Sequence, residues 1–277
     1  RLEVEKLKLD QETARKRLRE IQNMTPMSAA DFDGSGDYGD EGDPNAGDKL
    51  TGSYQLSTNS DYDGSMAEMC GNGIRCVAKY CHDRGLTDKT DLTIETGAGV
   101  KRLRLNVENG ETVSVRVDMG QPELNGRSIP TTVEGEPVMG HVLTANGHDY
   151  ACTFVSMGNP HAVAFVDDPD TAPVTTDGPV LECDPVFPRK ANIEFVQVLD
   201  PTHVKMRVWE RGTGETLACG TGASAVMVAC VLNGLTERRA EIALPGGKLE
   251  LEWNEEDGHV YMTGPATFVY DGQWLQD

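Results

Sequence analysis

The sequence predicts an α+β protein with two pseudo-symmetric halves, each a curved and mostly antiparallel sheet wrapped around one central helix. Three observations lead to this prediction. A Cys-Gly-X-Gly segment occurs twice, at residues 70–73 and 219–222, and each copy opens a stretch with a helical pattern. Short alternating apolar runs, which are typical of strands, fill much of the remaining sequence. Because the segment is repeated, we expect a duplicated unit whose two helices begin at a shared cleft.

The two predicted helices differ in how much of their surface is apolar. The first is indicated by the i, i+3, i+4, i+7 spacing of Ile74, Val77, Ala78 and Cys81, which places these residues on one helical face. The second, residues 223–231, is small and apolar on every side, which indicates a helix surrounded by protein.

The strand pattern suggests where the two halves begin and end. Strands are predicted at residues 92–94, 113–117, 154–155, 193–198, 204–209, 241–244, 249–251, 260–262 and 267–270. We expect residues 54–117 and 264–277 to form the first half-domain, which carries Cys70, and residues 118–263 to form the second, which carries Cys219. Residues 1–53 are an atypical segment, charged at first and then acidic and rich in glycine.

Composition excludes several classes of function. The formal net charge of −20 disfavours nucleic acid and anionic membranes as partners, because both attract a positive surface. No apolar run approaches the roughly 20 residues that a membrane-spanning helix needs. The seven cysteines include no C-x-x-C pair, so a reducing compartment such as the cytoplasm fits better than a disulfide framework. Their spacing also predicts no metal site.

The two cysteines of the repeated segment are the candidate catalytic groups. A cysteine at a helix N-terminus lies at the positive end of the macrodipole, which favours the thiolate. Two such thiols facing each other suit the inversion of a stereocentre, since one removes a proton from one face of a carbon and the other delivers a proton to the opposite face. The alternative is that both are buried small hydrophobic residues, the usual environment of a free cysteine.

Three further stretches contain polar side chains of the kinds that serve in catalysis and substrate binding. Residues 158–161 read as a tight turn that presents an amide and the imidazole of His161. Asn192 precedes a strand, where an asparagine usually satisfies backbone groups. Glu210 and Arg211 end a strand just before the second Cys-Gly segment, and their ordinary role would be a solvated ion pair.

Taken together, these motifs resemble those of the diaminopimelate epimerase family. The resemblance is carried by residues 63–76, 158–161 and 210–222, in that order, and residues 245–247 and 263–265 also fit. It extends over roughly residues 62–272. It implies a cofactor-independent isomerase that interconverts LL- and meso-diaminopimelate, a small-molecule substrate on the route to lysine and peptidoglycan precursors.

The resemblance also implies roles for individual residues. Cys70 and Cys219 are the acid and base, and His161 and Glu210 assist them. Backbone N–H groups for the α-carboxylate of the substrate come from Gly71, Asn72, Gly220 and Thr221. The amino groups and the distal carboxylate of the substrate are held by Asn159, Asn192, Glu210 and Arg211. Tyr270 matches a dimer contact, so a homodimer is implied.

Two departures from the family pattern keep alternatives open. The family's N-terminal segments are not found in residues 1–53, and Asp61 stands at a substrate-binding position where the family has asparagine. An ionised aspartate only accepts hydrogen bonds and would repel a substrate carboxylate. The alternatives are therefore a catalytically impaired, ligand-binding homologue and a related racemase of another amino acid.

Overall fold

The computed structural model describes residues 70–96 and 99–268. In this part of the chain the helices are α1 (Gly71–Asp83), α2 (Val174–Glu182) and α3 (Gly220–Leu232). The strands are β1 (Asp91–Thr96), β2 (Gly99–Glu108), β3 (Glu111–Gly120), β4 (His141–Ala145), β5 (His148–Ser156), β6 (Pro160–Phe165), β7 (Asn192–Asp200), β8 (His203–Glu210), β9 (Gly214–Thr216), β10 (Arg239–Leu244), β11 (Gly247–Trp253) and β12 (Val260–Gly264).

The described strands form one hydrogen-bonded path that runs through both halves. Its order is β1-β2-β3-β12-β11-β10-β8-β7-β6-β5-β4, and β9 pairs with β8. Neighbouring strands are antiparallel except for the pairs β6–β7 and β8–β10. The short parallel pairing of β8 with β10 joins two groups of strands, one made of β1–β3 and β10–β12 and the other of β4–β9. The α+β class and the curved, mostly antiparallel sheet predicted from the sequence are confirmed.

Helix α3 lies at the centre of the described strands, and its composition explains this position. Every residue of α3 from Gly220 to Cys230 is buried, and the helix packs against strands of both groups. Its alanines and valines present little side-chain volume, so strands approach it from all sides. Helix α1 instead buries one face, including Ile74 and Ala78, mainly against β3. Both helices contribute to one hydrophobic cluster, so the halves share a core.

A second hydrophobic cluster surrounds α2, an element that the sequence patterns do not predict. Its buried residues include Phe154, Leu181 and Phe195. The helix contains Gly178 and Pro179, which are poor helix formers in an interior position. Gly178 is required by close packing, since a Cβ there would lie 2.6 Å from Cγ of Trp209.

Some predictions differ from the structure or fall outside it. Thr267 and Phe268, predicted to begin a final strand, are not in a strand. Pro160 and His161 lie in β6 rather than in a turn, although the chain does bend just before them. Residues 1–53, Asp61 and Tyr270 lie outside the described residues. Within residues 70–96 and 99–268, no helix is long and apolar enough to cross a membrane.

Candidate active site

Cys70 and Cys219 occupy the same position at the start of two helices. Each has an extended backbone and caps its helix: the Gly73 N–H donates to Sγ of Cys70 at 3.3 Å, and the Gly222 N–H donates to Sγ of Cys219 at 3.4 Å. A sulfur that accepts a backbone N–H at the positive end of a helix is stabilised as a thiolate. The repeated sequence segment thus produces a repeated thiol geometry.

The two helix starts touch each other. A Cβ on Gly71 would lie 3.4 Å from the Gly220 Cα, and a Cβ on Gly220 would lie 3.3 Å from the Gly71 Cα. The thioether of Met262 in β12 packs beside both glycines. Since Cys70 and Cys219 directly precede these glycines, the contact brings together the two chain segments that carry the candidate thiols.

Arg75 and Asn72 link the start of α1 to the opposite half. The buried guanidinium of Arg75 donates to the Gly71 carbonyl at 2.9 Å, to Oδ1 of Asn72 at 3.1 Å and to the Pro265 carbonyl at 3.2 Å. Held in this way, the Asn72 amide donates to the carbonyl of Ala218, the residue before Cys219, at 3.3 Å. Arg75 was not singled out from the sequence, because an arginine within a helical pattern usually lies on the exposed face.

The charges around the two thiols differ. Burial lowers the pKa of Arg75, and the nearby Cys76 and Cys70 act in the opposite direction, so the start of α1 holds a buried guanidinium. Cys70 is partly exposed, whereas Cys219 is 5% exposed. Burial, followed by the carboxylates of Glu210 and Glu194, raises the pKa of the Cys219 thiol well above its usual value. These surroundings favour the protonated thiol at Cys219.

His161 is completely buried and its two ring nitrogens face different partners. Nδ1 lies 2.6 Å from Oε1 of Glu194, and Nε2 lies 3.0 Å from Oδ1 of Asn159. Asn159 also donates through Nδ2 to Oγ1 of Thr221 at 3.4 Å, and this hydroxyl is 3.5 Å from Sγ of Cys219. A chain of polar contacts therefore runs from Glu194 through His161 and Asn159 to the second thiol.

The remaining predicted residues lie where β7 begins and β8 ends. Asn192, which pairs with His161 across β6 and β7, accepts the Arg211 N–H at 2.9 Å and donates to the Pro160 carbonyl at 3.0 Å. Its amide thus satisfies two backbone groups. The Thr216 hydroxyl donates to Glu210.

The Arg211 side chain is held only loosely by the contact that the structure gives for it. One of its N–H groups donates to the Arg189 carbonyl at 3.5 Å, and the residue is half-buried. The guanidinium therefore retains donors that match a carboxylate in bidentate geometry.

Neither metal clusters nor disulfides are found in the described part of the chain. The residues there include no group of three or more His, Cys, Asp or Glu side chains that could hold a metal ion. The seven cysteines all lie in this part and carry free thiols.

Glu194 is the main residue at this site that sequence reasoning missed. It stands in an apolar run, residues 193–198, where a single glutamate would ordinarily point to solvent. Its burial depends on His161 in the neighbouring strand, a pairing that no short-range pattern reveals.

Comparison with protein families gives a match over most of the chain. The family model described as diaminopimelate epimerase matches residues 56–125 and 153–269. A diaminopimelate epimerase of Methanococcus maripaludis strain S2 is 54% identical over 211 residues, which are 76% of this chain and 76% of that protein. One from Acetivibrio thermocellus is also 54% identical, over 76% of this chain and 75% of the relative.

Solved structures resemble the chain in fold at low sequence identity. A probable proline racemase from Agrobacterium radiobacter superposes with a TM-score of 0.55 at 14% identity and covers 76% of this chain and 68% of its own. A PhzF-family phenazine biosynthesis protein from Bacillus anthracis has a TM-score of 0.52 at 16% identity, covering 77% and 78%. These similarities support the two-half fold alone.

Proposed function

The chain belongs to the diaminopimelate epimerase family, and we propose that this isomerase interconverts LL- and meso-diaminopimelate with Cys70 and Cys219 as its two acid/base groups. The observation that carries the mechanism is the meeting of two cysteine-capped helix starts at Gly71 and Gly220. Each thiol then faces the reacting carbon from its own half of the molecule.

The proposed reaction moves one proton off the substrate and one onto it. The thiolate of one cysteine takes the α-hydrogen as a proton, so the C–H bond breaks, an S–H bond forms and the electron pair stays on the α-carbon. The other cysteine then gives its thiol proton to the opposite face of that carbon and is left as a thiolate. Charge is conserved, and the two sulfurs have exchanged protonation states.

Backbone N–H groups supply the stabilisation that the carbanion needs. The first N–H groups of a helix have no intrahelical acceptor. The N–H groups of Gly73 and Gly222 are directed to the two sulfurs. We assign the N–H groups one and two positions earlier in each helix to the substrate's α-carboxylate, where fixed dipoles stabilise the developing charge. These belong to Gly71, Asn72, Gly220 and Thr221.

The distal end of the substrate sets specificity in this proposal. We assign the Arg211 guanidinium to the distal carboxylate, because its planar donors match a carboxylate. Asn159, Asn192 and Glu210 lie on segments next to it and are assigned to the substrate's amino groups. The family relationship favours these roles over those of a racemase for another amino acid, since the amino-acid racemase named above is similar in fold alone.

Exchange in heavy water tests the proposed reaction. Incubation of LL-diaminopimelate in D2O is expected to give meso product with one deuterium at the inverted α-carbon, because each proton delivered comes from a solvent-exchanged thiol. Lysine, proline and glutamate serve as alternative substrates. Binding of diaminopimelate without deuterium uptake would support the impaired homologue instead, and turnover of another amino acid alone would support the related racemase.

We also propose a cytoplasmic homodimer, which the site does not itself require. The free thiols favour a reducing compartment, and Tyr270 matches a family dimer position. Sedimentation of the wild-type protein and of a Tyr270→Ala variant tests this: a dimeric wild type and a more weakly associated variant are expected.

A further inference from the structure

Glu194 lies in the middle of the second half-domain with its carboxyl group fully removed from solvent. The residue is 0% exposed. Its Oε1 contacts His161, whereas Oε2 has no hydrogen-bond partner among the described residues. Burying a carboxyl group with an unsatisfied oxygen is costly, so its presence calls for an explanation beyond packing.

The contacts of His161 specify one arrangement of its protons. The Asn159 amide is oriented with Nδ2 toward Thr221, so Oδ1 faces His161. Since an amide oxygen only accepts, this orientation of Asn159 assigns a proton to Nε2 of His161. At Nδ1 the ring faces the Glu194 carboxyl group, and one proton lies between nitrogen and oxygen. The carboxyl group thereby fixes both the ring orientation and the proton on Nε2.

We propose that Glu194 is a positioning residue for epimerisation, which holds His161 so that its Nε2–H orients Asn159 toward Thr221 and Cys219. This inference rests on the function proposed above. Glu194 acts through the contact chain and is not assigned to the substrate. Its loss frees the His161 ring and lets the Asn159 amide turn away from Thr221.

Gly222 allows Glu194 to lie next to the start of α3. A Cβ at Gly222 would lie 2.9 Å from Oε1 of Glu194 and 3.2 Å from Sγ of Cys219, so the carboxyl group and the sulfur pack against the same glycine. Among the described residues, the titratable groups that interact electrostatically with Glu194 include His161 on β6, Cys152 on β5, Cys219 before α3 and Glu210 on β8.

A second buried carboxylate in the same half provides a matched comparison. Asp177 in α2 also faces a histidine, with its Oδ2 2.7 Å from Nδ1 of His148. Its two oxygens are satisfied, because Tyr150 donates to Oδ2 at 2.6 Å and Asn146 donates to Oδ1 at 2.9 Å. This pair fastens the β4–β5 turn to α2, and within the described part of the chain neither Asp177 nor His148 has a hydrogen bond to Cys70 or Cys219. It represents what a purely structural carboxylate–histidine pair looks like in this protein.

The test compares Glu194→Met, Glu194→Gln and Asp177→Asn with the wild type. Methionine is unbranched and of similar length but has no strong hydrogen-bonding atom, and glutamine can donate to Nδ1 and so keep the proton on Nε2. We expect Glu194→Met to fold and to lose about 10–100-fold in kcat, the loss seen when residues that orient metal-binding histidines are replaced, with a smaller change in KM. Glu194→Gln should recover most of the lost turnover. Asp177→Asn should lower Tm and leave kcat near the wild-type value.

Long-range 1H–15N spectra of the histidine rings give a readout that does not depend on turnover. The unliganded wild type should show His161 with a proton on Nε2, assigned with a His161→Asn variant, and Glu194→Met should lose this fixed state while Glu194→Gln keeps it. An unprotonated Nε2 in the wild type would overturn the proposal, as would wild-type kcat in folded Glu194→Met. If diaminopimelate is not a substrate, the spectra still decide the orientation of His161, so the two failures are distinguishable.

Discussion

Gly71 and Gly220 meet backbone to backbone at the starts of α1 and α3, and a Cβ on Gly220 would lie 3.3 Å from the Gly71 Cα. Each glycine directly follows a candidate catalytic cysteine. Their contact therefore fixes how closely the two cysteine-bearing segments approach. A reaction that removes a proton from one face of a carbon and delivers another to the opposite face depends on that spacing, because misplacement by about 1 Å can cost about 100-fold in rate.

Replacing Gly220 with alanine should impair catalysis more than replacing Gly71 with alanine. A Cβ on Gly220 would meet the Gly71 backbone at 3.3 Å and Sδ of Met262 at 3.1 Å, so the two helix starts must separate. A Cβ on Gly71 would meet Met262 mainly at its flexible Cε end, at 2.9 Å. We expect kcat/KM to fall about tenfold or more in Gly220→Ala and less in Gly71→Ala. Equal activity of Gly220→Ala and wild type would show that the spacing is not critical.

Arg75 should be needed for catalysis although it is not assigned to the substrate. Lysine at position 75 keeps the positive charge but cannot reach the Gly71, Asn72 and Pro265 acceptors together, because it lacks the planar fork. We expect Arg75→Lys to reduce kcat/KM by about tenfold, since each lost hydrogen bond to a charged group is worth about 1.5–3 kcal/mol. Wild-type kinetics in a folded Arg75→Lys variant would show that the charge alone is sufficient.

The two candidate thiols should react with an alkylating reagent at different pH. Thiolates are the reactive species, and burial together with Glu210 and Glu194 raises the pKa of Cys219 well above its usual value. Near neutral pH we expect iodoacetamide to modify the partly exposed Cys70 and to leave Cys219 intact. Glu210→Gln should move Cys219 modification to lower pH, because one negative charge near the sulfur is removed.

Peptide mapping by mass spectrometry separates these sites from the exposed Cys76 and Cys183, which report general reactivity. Preferential modification of Cys219 near neutral pH would contradict the assigned asymmetry.

Asp83 should contribute stability that disappears in acid. Burial opposes its ionisation, but hydrogen bonds from Lys79, His82 and Thr112 prevail and lower the pKa of Asp83. Its Oδ2 lies 2.5 Å from Nζ of Lys79, and the Thr112 backbone donates to Oδ1 at 2.9 Å, which ties the end of α1 to β3.

A carboxyl group whose pKa is lower in the folded state stabilises the protein above its unfolded pKa of about 3.9 and loses this effect as pH falls through the folded value. We expect Asp83→Asn to lower the free energy of unfolding by about 3 kcal/mol at neutral pH, as for other broken buried pairs. The difference from wild type should shrink below about pH 4. Urea unfolding at several pH values measures it, and a difference independent of pH would contradict the ionised state of Asp83.

Local sequence patterns predicted helices α3 and α1. The apolar run at residues 223–231 identifies α3 because a helix buried on all sides needs no particular face, and the spacing of Ile74 and Ala78 identifies α1. Helix α2 was not predicted because Gly178 and Pro179 lower its helix propensity. It packs closely against Trp209, a tertiary contact that local patterns do not reveal.

In the candidate site, too, the local features could be predicted from the sequence and the tertiary contacts could not. The capping positions of Cys70 and Cys219 follow from the adjacent sequence, since a helix N-terminus is a local feature. Glu194 and His161 become partners only when β6 and β7 pair in parallel, so their relationship depends on tertiary structure. The repeated segment predicts that the two helix starts share a cleft, but the direct backbone contact between Gly71 and Gly220 depends on the tertiary structure.

The central claim is that one sulfur from each half acts on the same carbon. Cys70→Ala and Cys219→Ala test it most directly, with the rate of LL- to meso-diaminopimelate conversion measured in D2O and folding checked by thermal unfolding. We predict that each folded variant loses epimerisation entirely, because the remaining thiol can serve only one face of the α-carbon. Near-normal conversion by either variant would contradict the two-thiol account.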